Sequence, residues 1–70
     1  MKILTDNKNI YMIISDRLYS ESLPQDVSTI DDDMKWDIQN PEIKTMEDLY
    51  AEFPWAEYEP DLIKATLIDA

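Results

Sequence analysis

The sequence predicts a small α+β domain with an N-terminal β-hairpin, a further strand and one or two short helices. Three observations support this prediction: two apolar runs separated by a polar turn, a stretch of alternating apolar residues, and a stretch of helical period behind a capping motif. With 70 residues the chain is one domain at most, so we treat residues 1–70 as a single acidic domain.

The predicted hairpin joins Lys2–Thr5 to Ile10–Ser15 through the turn Asp6-Asn7-Lys8-Asn9. Asp and Asn tolerate the left-handed backbone of tight turns, and the chain has no Gly to serve instead. The second run is apolar at successive positions, so we expect burial of both strand faces, or one face covered by a second copy. Arg17–Ser22 and Leu23-Pro24 are then expected to leave the sheet.

The stretch Ser28–Gln39 fits two kinds of element. Met34, Trp36 and Ile38 alternate with polar residues, as in a half-buried strand. Ile30, Met34 and Ile38 also fit a helical stripe of i, i+4 spacing. We favour the strand, because Trp36 then joins the buried face instead of facing water.

The strongest helical signal begins at Thr45. Thr45 and Asp48 have the spacing of a capping box, with Asp in place of the preferred Glu or Gln. An apolar stripe of helical period follows, formed by Met46, Leu49, Tyr50 and Phe53. We therefore predict a short helix that ends before Pro54.

A second helix is predicted over Asp61–Ile68, because Pro60 suits the first position of a helix. Its core-facing residues would be Leu62, Ile63, Thr66 and Leu67. A terminal strand is the alternative for the same residues.

The distribution of charge is the strongest signal in the sequence. The chain has 16 acidic and 6 basic residues, and the whole of its net charge of −10 lies in residues 26–61, which we call the acidic segment. Against Lys35 and Lys44, this segment carries Asp26, Asp31, Asp32, Asp33, Asp37, Glu42, Glu47, Asp48, Glu52, Glu57, Glu59 and Asp61. Crowded like charges weaken a fold, so a cationic binding partner explains the arrangement better than solubility alone.

The residue types that the chain lacks exclude most catalytic chemistry. The sequence contains no Cys, His or Gly, which excludes thiolate nucleophiles, imidazole bases, disulfides and glycine-rich phosphate loops. The run Asp31-Asp32-Asp33 lacks the ligand spacing and the central Gly of a calcium loop. We therefore expect no enzymatic activity, no metal and no cofactor.

The sequence carries no sign of a membrane span or an export signal. It has no apolar run of about 18 residues and no signal-peptide pattern, so we expect a cytoplasmic protein. Its negative charge would repel anionic membranes and nucleic acid alike. A chain this small without disulfides or metal sites is marginal alone, which makes a homodimer the expected route to stability.

Two aromatic residues of the acidic segment are candidate anchors for a partner. Trp55 and Tyr58 lie between Pro54 and Pro60, among carboxylates. An exposed aromatic ring can stack on an Arg side chain while neighbouring acids pair with the guanidinium. Core packing is the other interpretation of both residues, and for Trp36 it is the preferred one.

The acidic residues could imitate the backbone of DNA. Carboxylates on adjacent helical turns are about 6 Å apart, comparable to the phosphates along one strand. A helix followed by an acidic connector would then present a line of charges to a groove built for DNA. The candidate partner-binding residues are Asp31, Asp32, Asp33, Asp37, Glu47, Asp48, Glu52, Trp55, Glu57, Tyr58 and Glu59.

In size and charge layout the chain resembles the small, acidic, Cys-free DNA-mimic inhibitors that bacteriophages make against host DNA-binding proteins. The resemblance rests on Asp31–Asp33, Asp37, Glu47, Asp48, Glu52, Glu57 and Glu59. It implies an inhibitor that occupies the DNA-binding surface of a basic protein in the bacterial host, without binding nucleic acid itself. The nucleoid-associated protein HU is the preferred target, because a hairpin-based acidic dimer looks like the phage inhibitors of HU.

Two other functions compete with this interpretation. The chain could regulate a protein through apolar anchors such as Trp55 and Tyr58, with its acidity serving solubility. It could also be a structural component that assembles with further copies of itself.

Overall fold

The computed structural model describes all 70 residues and contains one antiparallel sheet with short helical elements on both faces. In the spatial order β3-β2-β1-β4, its strands are β1 (Lys2–Thr5), β2 (Asn9–Ile14), β3 (Arg17–Ser22) and β4 (Thr66–Asp69). The helical elements are α1 (Trp36–Gln39), α2 (Met46–Glu52) and four 3₁₀ turns, Val27–Thr29, Asp32–Met34, Pro54–Tyr58 and Pro60–Leu62. The predicted α+β class, with its N-terminal hairpin and short helices, is confirmed.

The β1–β2 hairpin forms where the sequence predicts it. The carboxylate of Asp6 accepts hydrogen bonds from the backbone N–H groups of Lys8 at 2.9 Å and Asn9 at 2.8 Å. These bonds, the one from Asn9 most of all, lower the pKa of Asp6. Asn7 takes the left-handed conformation, with φ 75°. A side-chain-stabilised turn therefore reverses the chain without glycine.

The prediction that Arg17–Ser22 leaves the sheet is wrong, because these residues form β3. They pair with β2 without interruption from Asn9↔Ser22 to Ile14↔Arg17. The chain reverses at Ser15 and Asp16, both left-handed, with φ 51° and 59°. Two left-handed central residues are typical of the type I′ turn, whose twist matches that of the paired strands.

Alternate strand residues build one hydrophobic cluster on each face of the sheet. On the first face, which we call face A, Ile3 and Ile10 pack with Ile30 and Met34. On face B, Leu4 and Tyr11 pack with Trp36, Ile43, Leu49, Ala56, Leu62 and Ala65. The expected burial of both strand faces is confirmed, and a single chain achieves it.

Between β3 and α2 the chain forms turns and one short helix, so the favoured strand over Ser28–Gln39 is wrong. This stretch places Ile30 and Met34 on face A and Trp36 on face B. The Trp36 indole N–H donates to the backbone carbonyl of Tyr11 at 3.1 Å, in a buried position. Trp36 is buried as expected, but it lies in the short helix α1 instead of a strand.

Helix α2 begins and ends as predicted. The Thr45 hydroxyl accepts from the backbone N–H of Asp48, and the Asp48 carboxylate accepts from the backbone N–H of Thr45, both at 3.1 Å. This is a complete capping box. Leu49 is fully buried, and Met46, Tyr50 and Phe53 pack against the same cluster. Pro54 opens the next turn.

The C-terminal segment forms a turn and a strand, so the predicted helix over Asp61–Ile68 is wrong. Pro60 does open a helical turn, but that turn ends at Leu62. The strand β4 then pairs with β1 in a register that runs from Lys2↔Asp69 to Thr5↔Thr66. The terminal strand, held as the alternative, is the correct element.

The four residues predicted to face the core in that helix divide between core and surface. Leu62 is buried, and Leu67 is half-buried against the face B cluster. Ile63 and Thr66 are exposed, because a turn followed by a strand does not keep the helical period.

Trp36→Phe is expected to lower the free energy of unfolding by about 2 kcal/mol, because it leaves the buried Tyr11 carbonyl without this donor. Trp55→Phe is the matched control, since the Trp55 indole N–H is buried with no acceptor. Trp36 is fully buried and Trp55 only half-buried, so the difference in stability reports the hydrogen bond together with the tighter packing around Trp36. Urea unfolding measures the two values, and equal losses would contradict the role given to the bond.

Candidate functional site

The carboxylates of the acidic segment face solvent. Eleven of its twelve acidic residues are exposed, and Glu59 is half-buried. The buried residues of the segment are all apolar, namely Ile30, Met34, Trp36, Ile43, Leu49 and Ala56. The segment therefore alternates between apolar anchors in the core and acidic residues at the surface.

The basic residues of the chain neutralise very little of this charge. Within the acidic segment one ion pair forms, between Lys35 and Asp32 at 2.7 Å. The other ion pair of the chain joins Lys2 to Asp69 at 3.4 Å, outside the segment. The negative charge of the segment is thus left available to an external cation.

Three of the twelve carboxylates have partners inside the molecule. Asp32 pairs with Lys35, and Asp48 caps α2. Asp26 accepts from the hydroxyl of Ser28 at 2.6 Å and from its backbone N–H at 3.0 Å, and the hydroxyl bond is the main cause of its lowered pKa. The nine side chains without a hydrogen bond or ion pair are Asp31, Asp33, Asp37, Glu42, Glu47, Glu52, Glu57, Glu59 and Asp61.

The predicted acidic binding residues divide into two groups that follow each other along the chain. The first acidic group lies around the turn that packs Met34 on face A and continues onto α1; it consists of Asp31, Asp32, Asp33 and Asp37. The second acidic group lies on α2 and the residues after it, which pack on face B; it consists of Glu47, Asp48, Glu52, Glu57 and Glu59. The first group therefore reaches from face A to face B, because α1 packs Trp36 on face B, whereas the second group lies on face B alone.

Asp48 has a structural task as well as an exposed charge. Its Oδ2 accepts hydrogen bonds from the backbone N–H groups of Lys44 at 3.0 Å and Thr45 at 3.1 Å. The bond from Lys44 is the largest cause of the lowered pKa of Asp48, so this carboxylate stays ionised. Glu52 lies one helical turn further on, about 6 Å away, and takes no part in the helix cap.

The two candidate aromatic anchors differ in exposure. Trp55 is half-buried against the face B cluster and lies edge-on to Phe53, with ring centroids 6.3 Å apart. Tyr58 is 83% exposed at the end of the same turn. Tyr58 therefore offers a whole ring to a partner, whereas Trp55 mainly supports the fold. Ile63 is 76% exposed and is a further apolar residue at the surface. The helical pattern in the sequence predicts it to face the core, so sequence reasoning misses this residue.

A cleft of about 310 Å³ lies between the β1–β2 turn and the residues around Asp61. Its buried polar group is the Tyr11 hydroxyl, which donates to Asp6 at 2.8 Å. Burial raises the pKa of Tyr11. Because the hydroxyl has its acceptor and Asp6 holds the turn, these polar groups support the fold.

The structure brings no three His, Cys, Asp or Glu side chains together in a way that could hold a metal ion. None of its helices has the length and apolar character that crossing a membrane requires.

Three comparisons with known proteins give no relative on which to base a function. No family model, no curated protein and no solved structure matches the chain. The function must therefore be inferred from the surface itself.

Asp48→Asn is expected to lower the melting temperature near neutral pH, because an amide accepts the two capping bonds without a charge. The pKa of Asp48 in the folded protein lies below its ordinary value of 3.8. Its contribution is therefore present above that pH and is lost as the pH falls through the folded-state pKa. The difference in melting temperature between the wild type and this variant should shrink below pH 3.8.

Glu47→Gln provides the control for this prediction, since it removes the same charge one residue earlier without touching the cap. Near neutral pH, Glu47→Gln should lower the melting temperature by less than Asp48→Asn does. Identical melting curves for the two variants at every pH would show that the charge of the Asp48 cap contributes nothing.

Proposed function

We propose that this chain inhibits a basic DNA-binding protein by presenting its acidic segment in place of duplex DNA. The observation that carries the proposal is a set of nine solvent-facing carboxylates without an internal partner, in a segment that holds the whole net charge of −10. The proposed role is one of binding and requires no reactive group.

The binding energy would come from pairing these carboxylates with the Lys and Arg side chains that otherwise hold phosphates. Carboxylate–guanidinium pairs gain most where the interface excludes water, and each pair releases counterions from both surfaces. Association of opposite charges is fast at low salt and weakens as salt is added. The partner's binding to DNA should show the same fast association at low salt and the same weakening by added salt.

Both acidic groups would contribute charge to this contact. Asp48 and Glu52 repeat at the pitch of α2, and Glu57 and Glu59 continue the negative surface beyond it. The first acidic group adds charge from the turn on face A and from α1. Such an arrangement suits a partner that grips a duplex from more than one side.

We further propose that this binding takes place in the cytoplasm of a bacterial host, with the nucleoid-associated protein HU as the first partner to test. The support is the resemblance to phage DNA-mimic inhibitors in size and charge layout. A partner that holds DNA mainly through its phosphates can be inhibited by charge layout alone, since it needs no base-specific contacts.

Glu47→Gln combined with Glu52→Gln is expected to weaken binding to HU by about tenfold, because it removes two unpartnered charges from the second acidic group. Asp16→Asn combined with Asp69→Asn is the matched control: it changes the net charge equally, by isosteric exchange, at positions outside the acidic segment. The control should bind like the wild type. Equal weakening in both variants would mean that only the total charge matters.

Competition with DNA tests the mechanism directly. The chain is added to bacterial lysate as bait, and bound proteins are eluted with a salt gradient in the absence or presence of excess duplex DNA. We expect the partner to elute early in the gradient and to be lost when DNA is added. A partner that holds the chain and duplex DNA together without mutual loss of affinity would refute the proposal.

A protein–protein regulator that acts through apolar anchors is the second candidate function, and the exposed ring of Tyr58 favours it. On that hypothesis Tyr58→Ala abolishes binding, and affinity changes little with salt. On the DNA-mimic hypothesis the same variant loses much less affinity than the double neutralisation on α2. Because Tyr58 is exposed, its removal should leave the melting temperature near that of the wild type, which Trp55→Ala would not.

A further inference from the structure

Strand β3 forms a free edge of the sheet, with β2 on one side and no strand on the other. Five of its six residues are exposed, and Tyr19 is 46% exposed. Edge strands usually carry Lys, Pro or a bulge that blocks pairing with another chain. β3 reads Arg-Leu-Tyr-Ser-Glu-Ser in unbroken register with β2, so it has no Lys, Pro or bulge, and its two charged residues are of opposite sign.

The backbone groups that face this free edge can be assigned from the ladder. The backbone N–H of Leu23 donates to the carbonyl of Lys8 at 2.9 Å, which makes these two residues a hydrogen-bonded pair next to the β2–β3 ladder. Such pairs alternate along antiparallel strands, so the odd-numbered residues of β3 bond to β2. The backbone N–H and C=O groups of Leu18 and Ser20 therefore point outward.

The sequence of β3 is complementary to itself in one antiparallel register. With a twofold axis at Tyr19, Leu18 and Ser20 of one copy form hydrogen-bonded pairs with Ser20 and Leu18 of the second copy. The same register places Arg17 opposite Glu21 of the second copy, twice by symmetry, with the two Tyr19 rings between them. These are non-hydrogen-bonded pairs, in which facing side chains approach most closely. No other register places Arg17 opposite Glu21.

The charge distribution also favours this edge. Residues 1–25 contain three acidic and three basic residues, so β3 lies in a part of the chain without net charge. The opposite edge, β4, has four residues and ends at Asp69, with no basic residue to face that carboxylate in a second copy. Two copies that meet at β3 can therefore pair residues of opposite charge within the strand, which two copies of β4 cannot.

We propose that two copies of this chain associate through β3 in this register and extend the four-stranded sheet into a continuous sheet across the dimer. Backbone hydrogen bonds at Leu18 and Ser20 supply the pairing, and the Arg17–Glu21 contacts select the register. The proposal does not rest on the proposed function.

Sedimentation velocity at physiological salt, with protein from about 10 μM to about 1 mM, tests this dimer. The wild type is expected to show a reversible dimer. Arg17→Glu places two carboxylates opposite each other at both contacts and should raise the dimer Kd by at least about tenfold, as should Glu21→Arg by placing two guanidinium groups there. The double variant, Arg17→Glu with Glu21→Arg, restores both pairs with exchanged partners and should recover the wild-type Kd.

Two further variants separate the interface from general effects. Lys8→Glu changes the net charge by the same amount as Arg17→Glu, but in an exposed turn outside β3, and should leave the dimer intact. Ser20→Pro removes an outward N–H and should abolish the dimer while circular dichroism shows the folded chain. A monomer at every concentration would overturn the proposal. So would a Kd that neither Arg17→Glu nor Ser20→Pro changes, or a double variant that fails to recover.

Discussion

The hydrogen bond from the Trp36 indole to the Tyr11 carbonyl is the interaction on which the rest of the structure depends. It joins residues 25 positions apart and fixes the middle of the acidic segment against β2. Helix α1 has four residues, too few to be stable in isolation, so its position must come from tertiary contacts of this kind. Met34 packs on face A and Trp36 on face B, so one short stretch ties both hydrophobic clusters to the sheet.

The acidic segment folds because its apolar residues recur at short intervals between its charges. Six of the twelve buried hydrophobic residues of the chain come from this segment, although it also holds twelve of the sixteen acidic residues. Each anchor draws the backbone onto the sheet and leaves the neighbouring carboxylates in water. The helical turns between anchors are short, so the charges form two groups instead of one long stripe. The mutual repulsion of these charges lowers the stability of a chain that is already only marginally stable because its core is small.

Local signals predict those parts of the fold that local interactions determine. The β1–β2 turn and the cap of α2 depend on Asp6 and Asp48, each bonded to backbone groups close by in sequence. The sequence does not predict β3, because the turn before it forms from left-handed Ser15 and Asp16 without glycine. It does not settle β4 either, because that strand depends on pairing with β1 at the other end of the chain. The exposure of the acidic residues follows from their chemistry, whereas the placement of the Asp31–Asp33 turn on face A and of α2 on face B, and the half-burial of Trp55, follow only from tertiary packing.

The two proposed interactions differ in their response to salt, because one joins surfaces of opposite charge and the other joins two copies of the same edge. Binding to a basic partner joins opposite charges, so added salt weakens it. Association through β3 brings together two chains of net charge −10, so salt screens their overall repulsion, but it also weakens the Arg17–Glu21 contacts and leaves the backbone hydrogen bonds and ring packing largely unchanged. Because these two effects of salt oppose each other, the dimer should depend on salt much less than partner binding does. A chain with its charges evenly distributed could not behave in this way, because every surface it offered to a second copy would also carry the repulsion.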